Sequence, residues 1–244
     1  MFSTIIEFVL CSNLKFEFNT LQLLSLTSKD IKDEIDKLHI HVRFSLHKFI
    51  KTRVLNIPQA ITTRYKITSL DFTMSFILEE YFTKLVQLIP LCDALTNLNL
   101  RNNRIGSEGA KKLATLLGQC KFLAKLELSN NNIGPEGVES LADVLPQCNS
   151  LTHLDLSNNN IGPKGVKSLA YVLPQCGSLT HLDLSTNRIG PNGAEELATV
   201  IVECKGLTHL FLECNYIGYA GAKSLEIAKS QCSAMAYLFY KDYY

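Results

Sequence analysis

A period of 28 residues runs through the second half of this sequence and decides what it can fold into. Aligned on Leu95, Leu123, Leu151, Leu179 and Leu207, the segments read LTNLNLRNNRIG, LAKLELSNNNIG, LTHLDLSNNNIG, LTHLDLSTNRIG and LTHLFLECNYIG, and Met235–Tyr240 opens another. Self-similarity at a fixed period marks a stacked architecture, because no single unit can bury its apolar face alone and each must cover its neighbour. Toward the N-terminus the pattern fades. Ile67, Leu70 and Phe72 keep the apolar slots, Ile77 and Cys92 stay in register, and Ser75 stands where later units have Asn. His39, Val42, Phe44 and Phe49 fit loosely, and Leu14, Phe16, Asn19 and Leu21 fit one period earlier. We therefore expect degenerate repeats and an N-terminal cap over residues 1–66, and regular repeats over 67–244, in one continuous solenoid from about residue 11 to 240.

Within one unit, apolar and polar residues alternate through Leu151–Leu156, the pattern of a short strand with one buried face. Leu154 and Leu156 should point inward, and His153, Asp155 and Ser157 outward. Asn103, Asn131, Asn159, Asn187 and Asn215 follow the strands, where the chain turns and backbone groups lose their ladder partners; an Asn side chain can supply both donor and acceptor there. Ile161-Gly162-Pro163-Lys164-Gly165 then opens a helix whose inward stripe is Val166, Leu169, Ala170 and Leu173. Pro174, like Pro90 and Pro146, is expected to stop it. Glu226 occupies the slot of Ala142, Ala170 and Ala198, as a terminal unit facing water would require. Strands stack ~4.8 Å apart while helices need about 10 Å, so the stack bends with its sheet inside. The fold class expected is α/β: a right-handed solenoid shaped as a horseshoe, with a parallel sheet on the concave face and helices on the convex face.

The unit L-x-x-L-x-L-x-x-N-x-I-G resembles the leucine-rich-repeat family, and its 28-residue length resembles the ribonuclease-inhibitor-like subtype. Similar repeats occur in Ran GTPase-activating proteins, nucleotide-sensing immune receptors and effectors of intracellular bacterial pathogens. The resemblance implies a module that binds a globular domain of another protein on its concave face, with masking of a partner enzyme's active site as one form of that binding. Regulation of a small GTPase is the alternative it implies, although the loop residues on which that activity depends have no match here. A role as a bacterial effector would place the chain inside a host cell; the tail Phe239–Tyr244 carries no decisive export signal.

Composition narrows the classes further. Lys and Arg total 24 against 23 Asp and Glu, and Arg101, Arg104, Lys125 and Arg188 are scattered among acids, so no nucleic-acid partner is expected. No apolar run reaches membrane-spanning length, and Glu7 with no basic flank spoils Met1–Leu10 as a secretory signal. No membrane partner is expected, and the unbound chain should be a monomer. Of the eight cysteines, Cys92, Cys120, Cys148, Cys176, Cys204 and Cys232 are spaced 28 residues apart, which marks a packing slot rather than a disulfide framework. Unbridged thiols of this kind point to an intracellular, reducing compartment such as the cytoplasm. Cys214 lies outside that column.

Three candidate chemistries fall on the outward face. His153-Asp155-Ser157 and His181-Asp183-Ser185 hold the residue types of a hydrolase triad, but residues at i, i+2 and i+4 of a strand splay along an open surface and offer no oxyanion donors. We expect no enzyme activity from them. His153, His181 and His209 form a column that could tempt a metal, but a flat ladder supplies neither convergent nitrogens nor a second shell; neither metal nor cofactor is expected. The third is recognition. The slots of Asp155 and Asp183 are filled by Phe211 and Phe239 in the last two units, His209 gives way to Tyr237, and Glu213 and Tyr216 lie just past the strand. Aromatics surplus to the core are anchor candidates, so the protein-binding set is His153, Asp155, His181, Asp183, His209, Phe211, Glu213, Tyr216, Tyr237 and Phe239.

Overall fold

The computed structural model describes residues 6–9, 39–43, 66–73, 82–83, 85–86 and 89–241. Its strands are β1 (Ile6–Val9), β2 (His39–Arg43), β3 (Lys66–Asp71), β4 (Asn97–Asn99), β5 (Lys125–Glu127), β6 (His153–Asp155), β7 (His181–Asp183), β8 (His209–Phe211) and β9 (Tyr237–Phe239). They form one nine-stranded parallel sheet in sequence order. From β4 onward, helices α1 (Gly106–Leu117), α2 (Gly134–Ala142), α3 (Gly162–Val172), α4 (Gly190–Ile201) and α5 (Gly218–Gln231) alternate with the strands. This is the α/β repeat solenoid that the period demands. The core is the seam between layers: Leu154, Leu156, Val166, Leu169 and Ala170 of one unit, each at most 3% exposed, meet their equivalents on either side.

The register holds at 28 residues from β3 to β9, as in Leu70↔Leu98 and Leu210↔Leu238. Before that it departs from expectation. Val42 does pair with Leu70, but His39 pairs with Lys66, because the ladder shifts between Ile40 and His41. The strand beside β2 is Ile6–Val9, nearer the N-terminus than the solenoid's expected start. Leu14, Phe16, Asn19, Leu21, Phe44, Phe49, Ser75 and Ile77 lie outside the described residues.

Each turn after a strand is held by its Asn. The Asn159 amide nitrogen donates to the carbonyls of Leu128, Leu156 and Ser157 at 2.9–3.1 Å, and its Oδ1 accepts from the backbone N–H groups of Asn131 and Ile133. Asn131 and Asn187 repeat the arrangement, so one buried side chain satisfies groups in two adjacent units. At the start of this ladder, Asn103 Oδ1 is the buried side-chain oxygen without a partner among the described residues. The turns are tighter than the single glycine of the motif indicates. The residues immediately before and after each turn Asn, and the glycine three after it, enter the left-handed region: Asn158 (φ 53), Asn160 (φ 56) and Gly162 (φ 63) in one unit, Cys214 (φ 55), Tyr216 (φ 56) and Gly218 (φ 66) in another. The motif's second glycine has a different purpose: a Cβ on Gly165 would lie 2.5 Å from Ile161 Cγ2 and 3.1 Å from the Pro135 backbone, so it sets how closely successive helices approach.

Pro146 and Pro174 do more than stop a helix. α2 ends at Ala142 and α3 at Val172, and each proline then sits at the centre of a 3-10 turn, Leu145–Gln147 and Leu173–Gln175. The cysteine slot follows that turn. Cys120, Cys148, Cys176 and Cys204 each point a thiol at the carbonyl four residues earlier, at 3.3–3.6 Å; the Leu116, Val144 and Val200 carbonyls also accept a backbone N–H, so there the thiol is a second donor. Cys92, Cys148, Cys204 and Cys232 are buried, whereas Cys120 and Cys176 are partly exposed. All are unbridged, as is Cys214.

Candidate protein-binding face

The outward side of the sheet is organised in columns because every strand pairs in register. One column runs Ser69, Asn97, Lys125, His153, His181, His209, Tyr237, and its neighbour runs Asp71, Asn99, Glu127, Asp155, Asp183, Phe211, Phe239. The three imidazoles stack face to face, with ring centroids 4.1 Å apart for His153–His181 and 3.9 Å for His181–His209. Tyr237 continues the stack at 4.6 Å from His209. In the next column Phe211 and Phe239 are parallel at 5.3 Å. Tyr237 and Phe239 stand 6.1 Å apart with planes 3° from parallel, so four rings tile the end of the face. Tyr237 and Phe239 are 52% and 42% exposed, whereas the Leu238 between them is buried in the core.

The histidines are held from below by a residue that sequence reasoning passed over. Thr152, Thr180 and Thr208 each place Oγ1 2.8 Å from Nδ1 of the following histidine. The same hydroxyls donate to the carbonyls of Ala124, Thr152 and Thr180 in the preceding unit. The threefold recurrence of Thr-His was the available signal. Burial holds His153 and His181 below the usual imidazole range, with like-charge neighbours adding to it: Lys125 and His209 for His153, His153 and His209 for His181.

The carboxylates do not engage the imidazoles. Asp155 Oδ1 accepts from the Ser157 N–H at 3.0 Å and from its hydroxyl at 2.6 Å; Asp183 Oδ1 accepts from the Ser185 N–H at 2.9 Å. The serine hydroxyl thus serves its aspartate and the histidine serves its threonine, so neither trio has the hydrogen-bond chain of a triad. Burial pushes the Asp183 carboxyl up, and the nearby Asp155 and Glu213 charges push the same way against its bonds from Ser185. The Ser185 hydroxyl also lies 3.4 Å from Glu213 Oε2, so its one proton is shared between two carboxylates. Parallel stacked rings do not converge on a point, and among the described residues no His, Cys, Asp or Glu group is placed to hold a metal ion.

Eight of the ten candidate residues are thus on two adjoining columns of β6–β9, and Glu213 lies two residues past the end of β8. The tenth, Tyr216, lies in the turn beyond β8 in a left-handed conformation and is 70% exposed. Lys125 is tied to Glu127 at 2.6 Å, and these two line a shallow depression with Ser69, Asp71, Asn97 and Asn99, away from the aromatic tile. Sequence reasoning did not single out Tyr171 or Tyr219, both strongly exposed on the helical side.

Residues 94–114, 119–142, 147–170 and 175–198 match the family model described as Leucine Rich repeat. The chain carries leucine-rich repeats. No curated protein sequence matches it. Among solved structures, actin-binding site 2 of leiomodin-1 is similar, with a TM-score of 0.55 at 21% identity over 62% of this chain and 88% of that one. The tropomodulin C-terminal domain of Caenorhabditis elegans has a TM-score of 0.53 at 15% identity over 62% of this chain and 92% of that one. A leucine-rich repeat-containing protein of Legionella pneumophila has a TM-score of 0.45 at 16% identity, covering 98% of this chain and 91% of that one. At such identities the likeness concerns the fold alone. Among the described residues no helix is long and apolar enough to cross a membrane.

Proposed function

We propose that this leucine-rich-repeat chain is a protein-recognition module whose partner docks on the strand face between β6 and β9. The observation that carries the reading is the ring tile of His209, Phe211, Tyr237 and Phe239: two of these rings are among the largest exposed apolar side chains, while the core beneath is already filled by Leu210, Leu212 and Leu238. Rigid exposed aromatics on a flat surface are the residues that dominate binding energy at interfaces. Tyr216, 70% exposed in the turn after β8, extends the patch. Masking of a partner enzyme's active site, in the manner of ribonuclease-inhibitor-like proteins, is the form of docking that an open face of this breadth suits.

The test is capture of the partner by photo-crosslinking from the strand face, repeated with three variants. Phe211→Ala combined with Tyr237→Ala should weaken the complex by about 2 kcal/mol or more per hot spot, a loss of at least roughly thirtyfold, with the melting temperature little changed. Tyr171→Ala on the helical side should leave affinity intact. Retention of the partner by the double variant, or its loss on Tyr171→Ala, removes the strand face from consideration. An assay of the captured partner's activity then separates masking from simple tethering.

A further inference from the structure

The threonine beneath each histidine fixes more than the ring's position. Thr96 donates from Oγ1 to the Thr68 carbonyl at 2.9 Å in a unit whose next residue is Asn97, so this bond belongs to the repeat and does not depend on a histidine. Thr152, Thr180 and Thr208 make the same bond at 3.0–3.1 Å. A threonine hydroxyl has one proton. Spent on the carbonyl, it leaves Oγ1 an acceptor toward the imidazole 2.8 Å away, and the proton in that contact must come from Nδ1. Each neutral ring is therefore the Nδ1–H tautomer, and its Nε2, at the end of the ring remote from Cβ, carries a lone pair.

Among the described residues the imidazole contacts of His153, His181 and His209 are made through Nδ1, and the carboxylates of Asp155 and Asp183 keep acceptor capacity beyond their bonds from Ser157 and Ser185. Three stacked acceptor nitrogens thus lie alongside the carboxylates of Asp155 and Asp183, with Glu213 beyond them against Ser185, and this acceptor surface runs directly into the ring tile, since Asp183 pairs across the sheet with Phe211. A surface composed of acceptors is complemented by a group that only donates. The guanidinium is such a group: it carries five N–H donors and no acceptor, its positive charge suits the carboxylates, and its planar face stacks on aromatic rings. Ammonium supplies charge but neither the fork nor the flat face.

We propose that the face from β6 to β9 takes an extended protein segment carrying arginine beside an aromatic residue, the guanidinium lying over the His181–Asp183–Glu213 acceptors and the aromatic side chain over Phe211 and Phe239. This rests on the strand face being the docking surface and names the chemistry of what docks there.

Two measurements on the full chain test it. Long-range proton–nitrogen correlation of the imidazoles at about pH 8, above their ordinary range, should show Nδ1–H tautomers for His153, His181 and His209; Nε2–H tautomers overturn the proposal. Blocked pentapeptides are then titrated at the same pH and followed by side-chain shifts. Gly-Arg-Phe-Arg-Gly should bind at least tenfold tighter than Gly-Glu-Phe-Glu-Gly, and tighter than Gly-Lys-Phe-Lys-Gly, with perturbations centred on Asp183 and Phe211. Asp183→Asn with Glu213→Gln should reduce its affinity about tenfold at an unchanged melting temperature. Equal binding of the acidic or lysine peptide, or indifference to that double variant, sinks the arginine assignment. A protein partner that is lost on Phe211→Ala with Tyr237→Ala but indifferent to Asp183→Asn with Glu213→Gln overturns this inference while leaving the docking face in place.

Discussion

At the scale of single residues, the most informative side chains are those that answer to two units at once. Asn159 satisfies three carbonyls and two N–H groups in a site with no water access, and its own N–H is taken by Asn187. Asn159→Ala orphans several of these together. The expected cost is about 2–4 kcal/mol, a fall of roughly 5–15 °C in melting temperature for a domain of this size. A midpoint within 2 °C or so of the parent would mean that the ladder is replaceable. The Asn column was legible in the sequence because its chemistry has a single use at a turn. The thiol–carbonyl bonds of the cysteine column were not, since spacing reveals a slot but not which polar group ends a helix beside it. They carry a prediction of their own. Burial pushes the Cys92 and Cys204 thiols up to about 12 and those of Cys120 and Cys176 up to about 11, so thiolate is scarce in the column at neutral pH. Rapid alkylation of native protein should label Cys214, which is partly exposed in its turn and outside the column, ahead of all four. Labelling of Cys120 or Cys176 first would show that their partial exposure outweighs the suppressed thiolate.

At the scale of elements, the strand columns respond to acid in a direction that the geometry fixes. The folded state holds His153 and His181 below the 6.5 of a free imidazole, so between their own pKa and that value the unfolded chain binds more protons. Stability therefore rises with pH across that window and is lost on acidification through it. The groups facing the column are Lys125 at one end, Tyr237 at the other, and Asp155 and Asp183 alongside; Asp183 works the other way, because its raised pKa favours the folded state as it protonates at lower pH. Melting temperature should fall modestly from about pH 7.5 to 5.5 near the imidazole range, and substituting all three histidines by Gln should flatten that fall. A pH dependence that survives the triple substitution would place its origin elsewhere. Protonation of His153 and His181 turns acceptors into donors, so binding of an arginine segment should weaken more steeply than folding does. The column itself could be read from the repeat, since β-strand alternation places His153, His181 and His209 on one face. Its tautomer could not, because that depends on a threonine bond between units. Nor could the pairing of β1 and β2, where the apolar pattern is too sparse to choose between registers one residue apart.

At the scale of the whole molecule, a stack of repeats is only as soluble as its end faces, because every unit presents to its neighbour the surface that makes the core. The last described unit departs from the consensus at two positions that touch. Tyr240 stands in the slot of Leu100, Leu128, Leu156, Leu184 and Leu212, Glu226 in the slot of Ala142, Ala170 and Ala198, and the Tyr240 hydroxyl donates to Glu226 Oε1 at 2.6 Å. The sequence disclosed the glutamate as a water-facing change but not its partner, which lies 14 residues away across the strand–helix seam. Together they put a hydrogen-bonded polar pair where earlier units have two apolar residues, with Tyr240 packed against the core and Glu226 in solvent. The bond to Glu226 pushes the Tyr240 hydroxyl up to about 12 from its usual 10, so its contribution is complete below pH 10 and is lost as pH rises through 12. Restoring the consensus with Tyr240→Leu and Glu226→Ala should leave each unit able to fold but expose an apolar end. Such a face finds a matching surface on a second molecule, and a head-to-tail contact of that kind does not close on itself. Sedimentation velocity should then show concentration-dependent association of the double variant where the parent sediments as a smaller species. Tyr240→Phe, which removes only the hydroxyl, should cost about 0.5–1.5 kcal/mol without association. If the double variant matches the parent's sedimentation at all concentrations, the pair is decoration, and the end face is protected by other residues.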